Sequence, residues 1–340
     1  MTLKRTLSWR ARAGIGVGAV LAGLGAGTAS AAARAPHAEK TLHVAYLSFA
    51  VQNSYDAPML AAAQRQAAID HVQLKVFDAN NSPTTQYAQF QDAITSHQYQ
   101  GIIVQPIFGT GLIKLVQQAI KQHIAVANLD QELGPNLGTD QPQVKGLAAN
   151  VVFVPTEIGR KLGQLVVDAC QKLNPCRVGY LYDIKASALD EAIRHGFAKG
   201  TEGHKNVKVV TYGQSYFTPA DGLKATQDML TAVPNLNLIV GSDQGIEGAQ
   251  QALAESGKTG KVILVGYGAS AAALRGIKAG AWFGDVAQLP ASEGRLAVED
   301  LANAIRTGVS AGGVDPVSLL PDGGVITKAN VKLFHAEWPG

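Results

Sequence analysis

GIIVQPIFGTGLIKLVQQAIKQHIAVANLD, residues 101–130, decides the fold. Gly101 to Gln105 is a strand-length apolar run. Leu112, Leu115, Val116, Ala119 and Ile120 then mark one face of a helix. A second apolar run, Ala125 to Leu129, closes on Asp130. Neither run alternates polar with apolar residues, and short, nearly continuous apolar runs suit strands covered on both faces, as in a parallel sheet. Strand, helix and strand in this order form a βαβ unit, which is right-handed and brings its loop ends to one sheet edge.

The same alternation extends in both directions. Upstream, the candidate strands are Leu42 to Phe49 and Val72 to Phe77, with helical stripes at Met59, Ala63, Ala67 and at Tyr87, Phe90, Ile94. Downstream, Gly134-Pro135-Asn136 and Gly138 mark a loop, and Val151 to Val154 offers a further strand and a crossover. A second series follows at Arg177 to Tyr182, Val207 to Tyr212, Leu236 to Val240, Val262 to Gly266 and Trp282 to Ala287. The expected fold is α/β, with two parallel-sheet lobes. Ala291 to Thr307 reads as a helix with Leu296, Leu301 and Ile305 inward and Gly308 as its stop. Gly312-Gly313 and Pro321-Asp322-Gly323-Gly324 divide the tail into pieces too small for a domain, so these must pack on the lobes. Residues 41–153 plus 289–316 are assigned to an N-terminal lobe, and 154–288 plus 317–340 to a C-terminal lobe.

The first residues have a different composition. Lys4, Arg5, Arg10 and Arg12 precede an Ala/Gly/Val/Leu run from Ala13 to Gly27 and the small residues Thr28 to Ala33. That order is a secretory signal, assigned to residues 1–33, with cleavage after Ala31 or Ala33. An uncleaved N-terminal anchor is the competing reading. No cysteine stands near this boundary, so no bacterial lipid-attachment site is expected. The chain is therefore expected to work outside the cytoplasm, in a periplasm or at the cell envelope. Net charge is only +3 and no concentrated basic footprint occurs, which argues against nucleic acid. Cys170 and Cys176, the only cysteines, flank Asn174-Pro175. An oxidising compartment favours a small local disulfide, with two buried thiols as the alternative.

In open parallel sheets, ligands bind beyond the carboxyl ends of the strands. Phe49, Asn53 and Tyr55 follow the first strand, Gln105 and Phe108 the third, and Asp130 and Gln131 the fourth. In the second lobe, the corresponding groups are Tyr182 and Asp183, Phe217, Ser242 and Asp243, Tyr267, and Gln288. Amides, hydroxyls and carboxylates exchange hydrogen bonds, while aromatic rings cover apolar faces; the mixture suits a sugar, polyol or similar small polar solute. Competing structural roles exist: Asp130 as a cap, Asp243 as a helix N-cap, and the phenylalanines as core aromatics. No GxGxxG follows the first strand, and no phosphate loop, GxSxG elbow or HExxH motif occurs. His195 and His204 lack a third ligand. Asp183 and Glu191 do not identify a glycosidic acid pair. Binding is expected rather than turnover, with no cofactor and no metal.

Several stretches together carry a family likeness: FDANNSPTTQYAQFQDAI from Phe77, GIIVQP from Gly101, NLD ending at Asp130, EIGRKLGQ from Glu157, GSDQGIEGAQQAL from Gly241, VGYG from Val265, DVAQLP ending at Pro290 and ITKANVKLF from Ile326. The chain resembles the periplasmic sugar-binding proteins of the ribose and galactose type. The resemblance implies a type I periplasmic binding protein: two Rossmann-like lobes joined by a three-crossover hinge, a monomer that closes over one ligand and delivers it to the membrane permease of an ABC importer. It also implies that Asp130 grips sugar hydroxyls, with Asn53 nearby, Phe217 stacking, Ser242 in the second-lobe polar position and Gln288 at the hinge. Three departures stand out. Gln131 replaces a common Arg, another common Arg position falls near Glu191, and VGYG puts Gly268 where VGFD carries Asp. These losses point to a smaller polyol, a less hydroxylated ring or a differently charged solute, cations included. Repressors sharing this fold carry an N-terminal helix-turn-helix, whose place an export signal takes here. A receptor presenting its ligand to a membrane sensor or chemoreceptor is the nearest alternative, and an exported enzyme acting on a small polar metabolite ranks below it.

Overall fold

The computed structural model describes residues 40–340, and the export segment assigned to residues 1–33 lies outside them. Five strands open the described chain: β1 (Leu42–Ser48), β2 (Val72–Asp78), β3 (Gly101–Val104), β4 (Ala125–Asp130) and β5 (Ala149–Val152). Five more follow: β6 (Cys176–Tyr182), β7 (Val207–Gln214), β8 (Leu238–Ser242), β9 (Ile263–Gly268) and β10 (Gly284–Ala287). The short β11 (Gly312–Val314) and β12 (Val325–Thr327) complete two six-stranded sheets, ordered β11-β5-β4-β3-β1-β2 and β12-β10-β9-β8-β6-β7. Every pairing is parallel except that of β10 with β12. The fold is therefore two-lobed and α/β.

Register explains why the strand ends converge. Leu47 of β1 lies opposite Val104 of β3, Val104 opposite Asn128 of β4, and Asp130 opposite Val152 of β5, so the first-sheet termini share one edge. The interior follows the apolar runs: Leu47, Ile102, Ile103, Leu129 and Val240 are completely buried.

Nine helices join the described strands: α1 (Asp56–Ile69), α2 (Pro83–Thr95), α3 (Gly109–Lys121), α4 (Pro155–Ala169), α5 (Ala188–Gly200), α6 (Pro219–Ala232), α7 (Asp243–Glu255), α8 (Ala271–Ala279) and α9 (Pro290–Thr307). Met59, Ala63 and Ala67 face inward on α1, as their spacing predicts, and Gly308 ends α9 in a left-handed conformation at φ 74°. The chain passes between the sheets after β5, after β10 and between β11 and β12. The last helix, α9, returns to pack on α1 and the first sheet, whereas α4 packs on α5 and the second. Cys170, just past α4, and Cys176, opening β6, are joined by a disulfide.

Some local readings shift. Tyr87 faces outward on α2 while Gln86 is buried, because the Gln86 side chain bonds backbone at the end of β3. Trp282 precedes β10 rather than opening it, and β5 begins two residues before Val151.

Candidate ligand-binding site

Between the strand ends of the two sheets lies a cleft of about 570 Å³, counted to its open mouth. On the first-lobe side, the turn after β1 contributes Phe49, Asn53 and Tyr55, and Asp56 opens α1. The Asn53 side chain fixes this turn by accepting from the Tyr55 N–H at 2.8 Å. Gln105, one residue past β3, is held from three directions. Its Oε1 accepts from the Phe49 N–H (3.1 Å), its carbonyl accepts from Gln86 Nε2 (2.7 Å), and its Nε2 donates to Asp56 Oδ1 (2.6 Å) and Asp130 Oδ2 (3.1 Å). Asp130 ends β4 with φ at 69°, a left-handed conformation uncommon outside glycine that the surrounding bonds sustain. Gln131 follows it on the cleft wall.

Burial raises the acids on this side. Asp56 is pushed up to about 8 by burial and then by the nearby Asp130. Asp130 is pushed up to about 6 by burial, against the lowering effect of Gln105, Tyr55 and Glu293. Glu293 of α9, fully buried, stands well above the usual carboxylate range because of burial and then Asp130. It is the protonated member of the Asp130–Glu293 contact. Asp130 Oδ1 receives no hydrogen bond of ordinary geometry.

On the second-lobe side, Phe217, Ser242, Gln244 and Tyr267 line the cleft. Tyr216 and Phe217 are consecutive left-handed residues, at φ 48° and 56°, which turn the chain after β7. Ser242 caps α7 through Gly245 N and donates its hydroxyl to Asp183 (2.6 Å). Ser215 and Tyr267 donate to the same carboxylate. Asp183 thus holds the hydroxyls of Ser242 and Tyr267 from behind. Leu189 and Ile193 of α5 add an apolar wall, and Phe153 and Gln288 sit where the chain passes between the sheets.

The cleft brings together Phe49, Asn53, Tyr55, Asp130, Gln131, Phe217, Ser242, Tyr267 and Gln288. Four other sequence candidates lie off its lining. Phe108 caps α3 and is 60% exposed, its ring over Gly111. The Tyr182 ring stacks with Tyr212 (centroids 5.9 Å apart), because alternation along β6 turns it to the sheet face. Glu191 is on the exposed side of α5; Leu189 and Ile193 occupy the facing side. Asp243 is fully buried: its Oδ2 accepts from Ser270 N (2.7 Å), and it faces Asp285, whose Oδ1 accepts from Ala269 N (2.8 Å). Burial and then Asp243 push Asp285 well above the carboxylate range, so the pair shares a proton. Asp56, Gln244, Phe153, Leu189 and Ile193 escaped the sequence reading. Asp56 directly follows Tyr55, the one of these with a usable signal; Gln105, expected after the third strand, lines the cleft.

Gly268 acquires a physical reason. A Cβ there would meet the Trp338 ring at 2.6 Å and Asp243 Oδ2 at 2.8 Å, and φ is 142°. Trp338 donates from Nε1 to the Gly268 carbonyl (2.7 Å), and its ring meets that of Tyr55 edge-on at 5.4 Å. The tail thus fills the volume that a side chain at 268 would need.

The model of the periplasmic binding protein domain matches residues 44–308. The chain belongs to this family. Among curated relatives of this binding protein, the D-allose-binding periplasmic protein of Escherichia coli is 27% identical over 229 residues, covering 66% of this chain and 71% of the relative. The ribose import binding protein of Salmonella typhimurium is 24% identical over 277 residues, covering 81% and 88%. A solved ABC transporter solute-binding protein from Mycobacterium smegmatis with bound glycerol superposes with a TM-score of 0.73 at 23% identity, covering 88% of this chain and all of that one (100%). One from Bacillus halodurans with bound myo-inositol gives 0.75 at 20% identity, covering 88% and 98%. These structural likenesses fix the fold as the type I periplasmic binding protein architecture.

Proposed function

We propose that this protein captures a small polar solute, a sugar, polyol or related metabolite, between its two lobes outside the cytoplasm and delivers it to the membrane permease of an ABC importer. The observation that carries this reading is the cleft itself: polar groups and aromatic rings from the carboxyl ends of two facing sheets converge on one volume. Such a site suits reversible capture, because contacts from both lobes favour a closed arrangement only when the solute is present. Family membership and the roles of the allose and ribose proteins, by their names, support transport over turnover. Phe49, Asn53, Tyr55, Asp130, Gln131, Phe217, Ser242, Tyr267 and Gln288 are the proposed contacts.

The test is to recover the solute from purified protein by denaturation, identify it by mass spectrometry, and titrate it back. Recovery of an unaltered small polar molecule that rebinds stoichiometrically is the expected result. A solute converted on incubation would place the chain among enzymes instead. Small-angle scattering is expected to show compaction on saturation.

A further inference from the structure

Resting on that reading of the cleft, the geometry points to a solute that bears a positive charge: we propose a compact amino sugar or amino polyol whose ammonium group sits against Asp130 and Asp56 between aromatic rings.

The lining has two carboxyl side chains, Asp56 and Asp130, and contains no Lys, Arg or His. Gln131 follows Asp130 on the cleft wall, and α5 presents Leu189 and Ile193 with Glu191 turned outward. The groups facing the acids are also acidic or neutral. Tyr46 comes from β1, Tyr55 from the turn before α1, Asp78 from β2, Gln105 from the end of β3, Glu293 from α9 and Glu337 from the tail. No cation of the protein is among these neighbours.

Hydrogen-bond accounting leads to the same class. Asp130 is 4% exposed; Gln105 Nε2 donates to its Oδ2, Tyr55 and the protonated Glu293 stand against it, and its Oδ1 lacks a donor of ordinary geometry. A buried carboxylate short of donors is costly. A hydroxyl supplies one donor and no charge; an ammonium supplies three donors and the missing charge. Phe49, Tyr55, Phe217 and Tyr267 surround the same volume, and ring faces attract a desolvated cation. Asp56 lies in the first turn of α1, where the helix dipole favours its ionised form once a cation arrives.

Without a cation, burial keeps protons near these acids, with Asp56 raised to about 8 and Asp130 to about 6. An ammonium lowers both, so binding near pH 7 releases protons, chiefly from Asp56. Affinity for the amine rises as pH increases from about 5 to about 8, the window through which both acids ionise.

The experiment uses the full chain and matched pairs differing by one group: 3-amino-1,2-propanediol against glycerol, 1-amino-1-deoxysorbitol against sorbitol, glucosamine against glucose, and galactosamine against galactose. Calorimetry at pH 7 in two buffers of different ionisation enthalpy reads both affinity and protons released. At least one amine is expected to bind about tenfold or more tighter than its partner, with proton release, and Asp130→Asn is expected to remove most of that preference. Proton release in the wild type keeps the test decisive if the variant folds poorly. Equal or tighter binding of the neutral partners, a preference unchanged in a folded Asp130→Asn, or no binding by any amine overturns the charge assignment. A neutral solute that binds and is weakened by Asp130→Asn leaves solute capture standing. Chemical conversion of the bound solute overturns capture instead.

Discussion

Asp130 ends β4 in the first lobe and Asp183 follows β6 in the second, and burial raises each to about 6. Their surroundings differ. Asp183 collects hydroxyl donors from Ser215, Ser242 and Tyr267, and its backbone N–H is held by Asp190 (2.8 Å). Asp130 has the Gln105 amide, with Tyr55 and the protonated Glu293 beside it, an Oδ1 without a donor of ordinary geometry, and a place on the cleft wall. Burial is the same in both, so burial does not separate a structural carboxylate from a binding one. Counting donors does: the saturated acid organises side chains around it, and the undersupplied acid has capacity for a ligand.

The comparison can be strained most severely through the tail, which touches both halves of the cleft. Trp338→Ala is expected to cost about 3 kcal/mol or more of stability, because it empties the space beside Gly268 and removes the ring against Tyr55. Urea denaturation measures it, and a loss below about 1 kcal/mol would show that the tail supports neither side. Asp183→Ala comes next, with about 2–3 kcal/mol lost by the same measurement, since buried hydroxyls lose their common acceptor. Solute affinity falls less, through Ser242 and Tyr267. Asp130→Ala reverses the pattern: stability changes by less than about 1 kcal/mol, while affinity for the recovered solute falls roughly 30-fold, or about 2 kcal/mol. A large stability loss with unchanged affinity would make the two aspartates alike and end the distinction.

The smallest effect is in pH. An acid raised by folding binds protons in the native state that it releases when unfolded, so its contribution favours the fold at low pH and is lost as pH rises through the folded value. For Asp183 this loss spans about pH 4 to 6, and for Asp56 it continues to about 8. Asp56→Asn is expected to flatten the decline in melting temperature up to pH 8. Asp183→Asn should affect its slope only at the acidic end. Identical profiles for the two variants would contradict the assignment.

Much of the architecture was legible because parallel strands covered on both faces must be short and apolar, and their covering helices must be striped. Leu47, Ile103 and Leu129 are buried as that pattern requires. Gln86 was not legible, because its burial is decided by Gln105 O and Ile107 N, supplied by another element. The strand-end rule led to Asp130, Ser242 and Tyr267, but could not tell which way Tyr182 or Asp243 faces. Tyr182 turns to the sheet, and Asp243 is engaged by Ser270 and Asp285.

The sequence by itself determined the alternation of strand and helix, and with it the edge where polar groups collect, since both follow from local periodicity and the handedness of βαβ units. Only the tertiary structure decided that Asp183 is saturated and Asp130 is not, that α5 presents Leu189 and Ile193 in place of Glu191, and that Trp338 fills the volume beside Gly268. Each depends on groups far apart in the chain meeting at one point, and no local pattern encodes the hydrogen bonds or the space they share.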